Sequence, residues 1–196
     1  MPGWQSFYEA HKEQVEVIVI ANDVQGAEVA KPWVEASGGT YRSLLDQHNS
    51  IGKAYGVKFV PIGILLDEDG RLARGVGSVN IDQEEFREEL TRWVETGAIP
   101  KSWIDSDNTT EIHELNGSER EADARFQLAI ILLEQEKKDE AIIELKRAFR
   151  LDPKNWLIRK QLWAVELPEA FYDGNVDYTW QKEQMAREDA ALVSES

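Results

Sequence analysis

The stretch that most constrains the fold runs from Tyr55 to Gly77, YGVKFVPIGILLDEDGRLARGVG. An apolar run, Ile62–Leu66, follows Pro61 directly; Asp67-Glu68-Asp69-Gly70 forms a turn, and Arg71–Val76 returns extended. An Asp-Gly turn between two such runs predicts a β-hairpin. Proline cannot donate to a ladder, so Pro61 belongs at the first position of its strand. After Gly77, Asp82–Glu95 places Phe86, Leu90, Trp93 and Val94 on one helical face, and Gly97 supplies the stop.

Upstream, Trp4, Phe7, Tyr8 and His11 recur at spacings of three and four, which predicts an amphipathic helix over Gly3–Glu13. Val15–Ala21, VEVIVIA, has the β-branched composition of a buried strand in a parallel sheet. A helix over Gly26–Ala36 ends at Gly38-Gly39, Tyr41–Leu45 is short and extended, and Asn49–Tyr55 is one or two helical turns. The order β, α, short β, α, ββ, α predicts an α/β sandwich with helices on both faces.

Val57-Lys58-Phe59-Val60-Pro61, the Asp67–Gly70 turn and the closing helix stand in the order seen in thioredoxin-like domains. Residues 1–96 resemble the second half of such a domain, in its TlpA/redoxin branch. The resemblance implies a cis peptide before Pro61, and backbone pairing of the preceding residue with an extended segment of a bound substrate. Phe59, Val60 and Pro61 are therefore the candidate peptide-binding residues. It also implies that Met1 falls inside the first helix of the family, at or past the second cysteine of its Cys-x-x-Cys motif. By this reading the sandwich is N-terminally truncated: the central strand and both cysteines are absent from the sequence. That strand would lie between Val15–Ala21 and Ile62–Leu66, and its loss would expose two apolar edges, which recruit other chains. Three outcomes stand open: a longer protein supplies the strand, the remaining strands close on each other, or another chain, including a second copy, covers the gap.

Gly97–Gly117 breaks the pattern with Pro100 and the polar run Asp105–Thr110, and reads as a linker. A calcium loop beginning at Asp105 would need Gly at position six and Glu at position twelve, where Thr110 and Asn116 stand. Beyond it, Ser118 and Glu121 match a capping box. Phe126, Leu128, Ala129, Leu132 and Leu133 line one helix; Ala141, Ile142, Leu145, Ala148 and Phe149 line a second, stopped by Leu151-Asp152-Pro153. The spacing of Leu128, Ala129, Leu132, Ala141, Leu145, Ala148 and Pro153 resembles a single tetratricopeptide repeat. Repeats of this kind are stable in arrays of about three, so a lone copy must pack on something else. Asn155–Glu166 supplies a capping helix, and the aromatic segment from Leu167 to Trp180 docks on the protein's own body. The predicted organisation is a thioredoxin-like domain over 1–97, a linker over 98–117, a helical unit over 118–166 and an aromatic-rich tail over 167–196.

Thirty-seven acidic against 22 basic residues give a formal charge of −15. Such a field repels phosphate backbones, which excludes nucleic acid as the expected partner. No apolar run reaches the ~18 residues of a membrane span. The N-terminus shows no signal peptide, so the cytoplasm is the default compartment, with export expected if an upstream signal exists. There is no cysteine, and thiol–disulfide exchange needs one thiolate to attack and another to leave. His11, His48 and His113 lack metal-ligand spacing, and neither a phosphate loop nor a nucleophile elbow is present. The sequence therefore predicts no catalytic residue, metal or cofactor. It predicts a non-catalytic binding or assembly module whose partner is a protein, a peptide or a second copy at the sheet edges. The alternative is a thiol–disulfide oxidoreductase or peroxiredoxin-like enzyme whose Cys-x-x-Cys segment lies outside this chain.

Overall fold

A computed structural model describes residues 2–105, 115–172 and 177–194. The chain divides into two units, Met1–Glu114 and Leu115–Ser196. The described residues are mostly helical, with one small sheet, and form a mixed α/β protein.

In the first unit, α1 (Pro2–His11) leads to β1 (Ile18–Ala21), α2 (Ala27–Ala36), β2 (Arg42–Leu45) and α3 (Ser50–Ala54). The strands pair in parallel, with Ile18 opposite Arg42 and Ala21 opposite Leu45. Asp46, buried at the end of β2, accepts from the backbone N–H groups of Ser50 (2.7 Å) and Ile51 (2.9 Å). It thereby caps α3, while Asn49 takes a left-handed φ of 54° to turn the chain. The closing helix, α4 (Glu84–Thr96), stops at Gly97 in the left-handed conformation the sequence predicts for a C-terminal glycine.

Two sequence expectations are corrected here. Val15–Ala21 is not a buried strand: only Ile18–Ala21 is extended, and Ile18 and Ile20 are exposed. A continuous β-branched run indicates burial only when both faces and both edges are covered, and β1 pairs with β2 alone. The region predicted as a linker begins with a further helix, α5 (Lys101–Asp105), whose Trp103 is buried against Phe86 and Trp93. Its indole N–H donates to Glu89 (2.9 Å), so the core of the unit extends past Gly97. That core gathers Phe7, Leu65, Ala73, Ile81, Phe86, Leu90 and Trp103. The calcium-like stretch from Asp105 falls almost wholly outside the described residues, as does His113.

The second unit is helical: α6 (Gly117–Glu134), α7 (Lys138–Leu151), α8 (Trp156–Glu166), α9 (Pro168–Phe171) and α10 (Tyr178–Ser194). The capping box lies two residues before the predicted one. Asn116 accepts from the Glu119 N–H at 3.0 Å while the Glu119 carboxylate accepts from the Asn116 N–H at 2.9 Å, in place of Ser118 and Glu121. Both pairs satisfy the same four-residue pattern, but only Asn116 precedes the first helical residue. At the other end Glu136 takes φ 61°, and the N–H groups of Glu136 and Lys137 donate back to Leu133 and Leu132. This left-handed closure turns the chain into α7. Phe126, Ala129, Ala141, Leu145 and Ala148 are buried where α6 meets α7 and α7 meets α8, the small residues allowing close helix approach. Ion pairs from Arg125 to Glu144 (2.8 Å) and from Lys146 to Glu166 tie α6 to α7 and α7 to α8.

Lys160 on α8 is half-buried, and burial lowers its pKa from 10.5. A lysine with a lowered folded pKa disfavours the native state most when both states are protonated, and this penalty fades as pH rises through the folded pKa towards 10.5. Lys160→Met is thus expected to raise the unfolding midpoint at pH 7, with the gain shrinking as pH rises towards 10.5. Urea denaturation at both pH values, read by tryptophan fluorescence, checks this.

Candidate functional site

The Val60–Pro61 peptide is cis. Phe59 and Val60 before it are 48% and 38% exposed, a large apolar surface for one dipeptide. The segment 59–61 makes no backbone hydrogen bond among the described residues. The structure therefore brings the three sequence-predicted residues together as one exposed segment leading into the hairpin.

The hairpin is thinner than its sequence suggests. Its ladder reduces to bridges between Gly63 and Gly77 and between Leu66 and Leu72. Ala73 donates to Leu65 (2.8 Å) and Gly63 to Gly77 (2.7 Å), so three residues, Arg74–Val76, stand opposite Ile64 alone. A bulge of this kind breaks the ladder and re-aims a side chain. Here the Arg74 guanidinium lies 5.5 Å from the ring centre of Phe86 and 5.8 Å from that of Trp103. Burial holds its pKa below the usual arginine value, partly offset by the nearby Glu89 carboxylate. Gly75 removes a side chain at the bulge, the one signal in the sequence that the second strand is not continuous.

Backbone geometry defines the open edges. In an antiparallel ladder a residue's N–H and C=O point to the same side, and successive residues alternate. Gly63, Leu65 and Asp67 face the returning strand. Ile62, Ile64 and Leu66 therefore turn their polar groups to the opposite edge, where no described group pairs with them. On β1, the Ala21 carbonyl accepts from Asp46 (2.8 Å), so Val19 and Ala21 face β2 while Ile18 and Ile20 face away from it. Among the described residues β1 has no second strand neighbour, and it does not pair with the hairpin. The remaining strands thus do not close on each other, which removes one of the three outcomes above.

The side chains match the backbone. Ile20 stands in register with Leu44, and both are exposed, as is Ile18 on the same face. Leu66 and Leu72, directly across the hairpin, are exposed while Leu65 and Ala73 fill the core. Edge strands are ordinarily protected by lysine, proline or a covering element. Ile18–Ala21 carries no charge of its own; the Glu16–Arg42 pair (3.6 Å) lies at one end.

Other polar candidates serve the fold. His11 Nδ1 lies 2.9 Å from the Phe7 carbonyl oxygen, with its ring stacked on Phe7, and His48 is exposed. Among the described residues no group of His, Asp and Glu is placed to hold a metal ion, and no helix is long and apolar enough to cross a membrane. In the second unit, sequence reasoning missed a buried cation. Arg159 of α8 is 5% exposed at its side chain and pairs with Asp189 of α10 at 2.7 Å. Its guanidinium lies over the rings of Phe149 and Trp156. An arginine between Trp156 and Trp163, at helical spacing from both, was the available signal.

A small parallel strand pair with an interposed helix, followed by a cis proline and a short hairpin, defines a mixed α/β class. Within it, the chain is 29% identical over 99 residues to sporulation thiol-disulfide oxidoreductase A of Bacillus subtilis (strain 168), covering 48% of this chain and 56% of that relative. The likeness supports a thioredoxin-like, redoxin-type relationship, and the match spans little more than half the relative's length. No protein-family model and no solved structure matches the chain.

Proposed function

We propose that this polypeptide is a non-catalytic, thioredoxin-like binding or assembly module. Its contact surface comprises the unpaired backbone edges of Ile18/Ile20 and Ile62/Ile64/Leu66, together with the exposed Phe59-Val60-Pro61 segment. The observation that carries the reading is the coincidence of unpaired backbone with exposed apolar side chains on both edges. Extended segments add to such edges by main-chain hydrogen bonds, with alternate side chains supplying selectivity. The partner is a protein or peptide in extended conformation, or a second copy, and the tetratricopeptide-like helical unit offers a second contact surface.

A second reading rests on the printed name of the relative. A longer polypeptide carrying a Cys-x-x-Cys segment ahead of Met1 would be a thiol–disulfide oxidoreductase or a peroxiredoxin-like enzyme, and an upstream signal would export it. The present chain has no cysteine and performs no such exchange alone. The two readings separate in one preparation. The binding module self-associates in light scattering and leaves insulin unreduced in the presence of dithiothreitol above the blank. A monodisperse monomer that also binds no extended apolar peptide contradicts the edge reading, and turnover contradicts the non-catalytic one.

A further inference from the structure

The open edge of β1 is complementary to a copy of itself. Ile18 and Ile20 turn their backbone N–H and C=O groups away from β2, and Val19 between them turns its groups towards it. In an antiparallel ladder, residues that face the partner bond in reciprocal pairs. Ile18 of one copy therefore meets Ile20 of a second, and Ile20 meets Ile18. A two-fold axis through Val19 relates the two strands, and the contact closes on itself. A parallel ladder lacks this symmetry. Each residue there bonds to the two that flank its opposite number, so identical edges fit only with a one-residue offset.

The side chains suit the same arrangement. Ile20 stands beside Leu44 and Ile18 beside Arg42. Pairing two copies sets Leu44 and Ile20 in one row with Ile18 and Arg42 of the second copy, and the next row repeats this in reverse. The four isoleucines, exposed in the single chain, meet at the centre of a four-stranded sheet. Arg42, paired with Glu16 at 3.6 Å, ends each row. Continued past the strand, the register puts Glu16 opposite Asn22 of the second copy, so no like charges face each other. Ile18–Ala21 contains no charge, proline or bulge, the devices that blunt an edge. The hairpin edge is entered at Pro61 and twisted by the Arg74–Val76 bulge, so it matches its own copy less well.

We propose that the partner of β1 is a second copy of this chain, paired antiparallel about Val19 in a closed two-fold dimer with a continuous β2–β1–β1–β2 sheet. The inference rests on the sheet-edge reading and commits it to one partner and one register.

The chain has no cysteine, so an introduced one reports alone. Full-length Val19→Cys and Ala21→Cys chains are oxidised with copper–phenanthroline and followed by non-reducing electrophoresis. The register sets the two Val19 Cα atoms about 4.5 Å apart, within the span of a disulfide, and the two Ala21 Cα atoms about 13 Å apart. Val19→Cys is expected to form the linked dimer about tenfold faster than Ala21→Cys. An equimolar mixture of Val17→Cys and Ala21→Cys, which the register sets opposite each other, is expected to link as fast as Val19→Cys. This arm stands even if Val19→Cys fails to fold. Equal rates for Val19→Cys and Ala21→Cys overturn the proposal, since no single register gives both. Linking through Ile64→Cys alone overturns it and leaves the sheet-edge reading standing. So does protection of the Ile18 and Ile20 amides by an extended apolar peptide when no position links. Neither linking nor protection overturns both.

Discussion

Replacing Ile18 and Ile20 together by lysine is expected to abolish self-association and extended-peptide binding with little loss of stability. Both residues are already exposed and turn their backbone groups away from β2, so the change removes no packed core. Large-to-small or charged changes in a core cost about 2–5 kcal/mol, whereas surface changes stay within about 0.5 kcal/mol. Two lysines on an edge oppose approach of a second apolar strand, the device many native sheets use. The expected reading is a dimer or larger species for the wild-type chain and a monomer for the variant in sedimentation or light scattering, with unfolding midpoints nearly unchanged. The same substitution in a fully paired sheet would instead lower stability, because charge would enter a covered strand.

Trp163→Ala is expected to have the largest effect on the second unit. Trp163 is fully buried, packs edge-on against Trp156 and Trp180, and hydrogen-bonds Glu188. Truncating such a ring costs about 3–5 kcal/mol, and it also removes one of the two hydrogen-bond donors to the Glu188 carboxylate, leaving Gln184 at 2.9 Å. Trp163→Phe retains most of the packing and loses the N–H donor, for which about 1 kcal/mol is expected. Far-UV circular dichroism during urea denaturation separates the two variants: the alanine variant loses helix at much lower denaturant, the phenylalanine variant close to wild type.

The sequence made most helices legible because their signals are local. Phe86, Leu90, Trp93 and Val94 mark α4, and Ala141, Leu145 and Ala148 mark α7, each by periodicity within the segment itself. The strands were less legible because their burial depends on neighbours. VEVIVIA has the composition of a covered strand, yet Ile18 and Ile20 lie open. The hairpin signal of Asp67–Gly70 identified the turn, where Asp67 accepts from the Asp69 and Arg71 N–H groups. It could not reveal the Arg74–Val76 bulge, which depends on Phe86 and Trp103 meeting the arginine from elsewhere in the chain.

The candidate site divides in the same way. Phe59, Val60 and Pro61 were found through resemblance, since nothing in their composition distinguishes them from any turn. Trp103 was hidden in a stretch whose later residues are strongly polar, and five helical residues are too few to show periodicity. The Arg159 contacts span 29 and 30 positions, from residue 159 to Glu188 and Asp189, beyond any local pattern. The aromatic segment expected to dock on its own body does so through Trp180 on Trp163, while Tyr178 is exposed.

Amide hydrogen exchange at Ile18, Ile20, Ile62, Ile64 and Leu66, measured at low and at high protein concentration, distinguishes open sheet edges from covered ones. Open edges exchange these amides rapidly in dilute solution and protect them at high concentration, while Val19, Ala21 and Leu65 are expected to change little. Protection already present in the dilute monomer would mean that the edges are covered within the chain. Rapid exchange at every concentration, with no protection on adding an extended apolar peptide, would mean that they recruit no second strand. Either result contradicts a module that binds through open sheet edges.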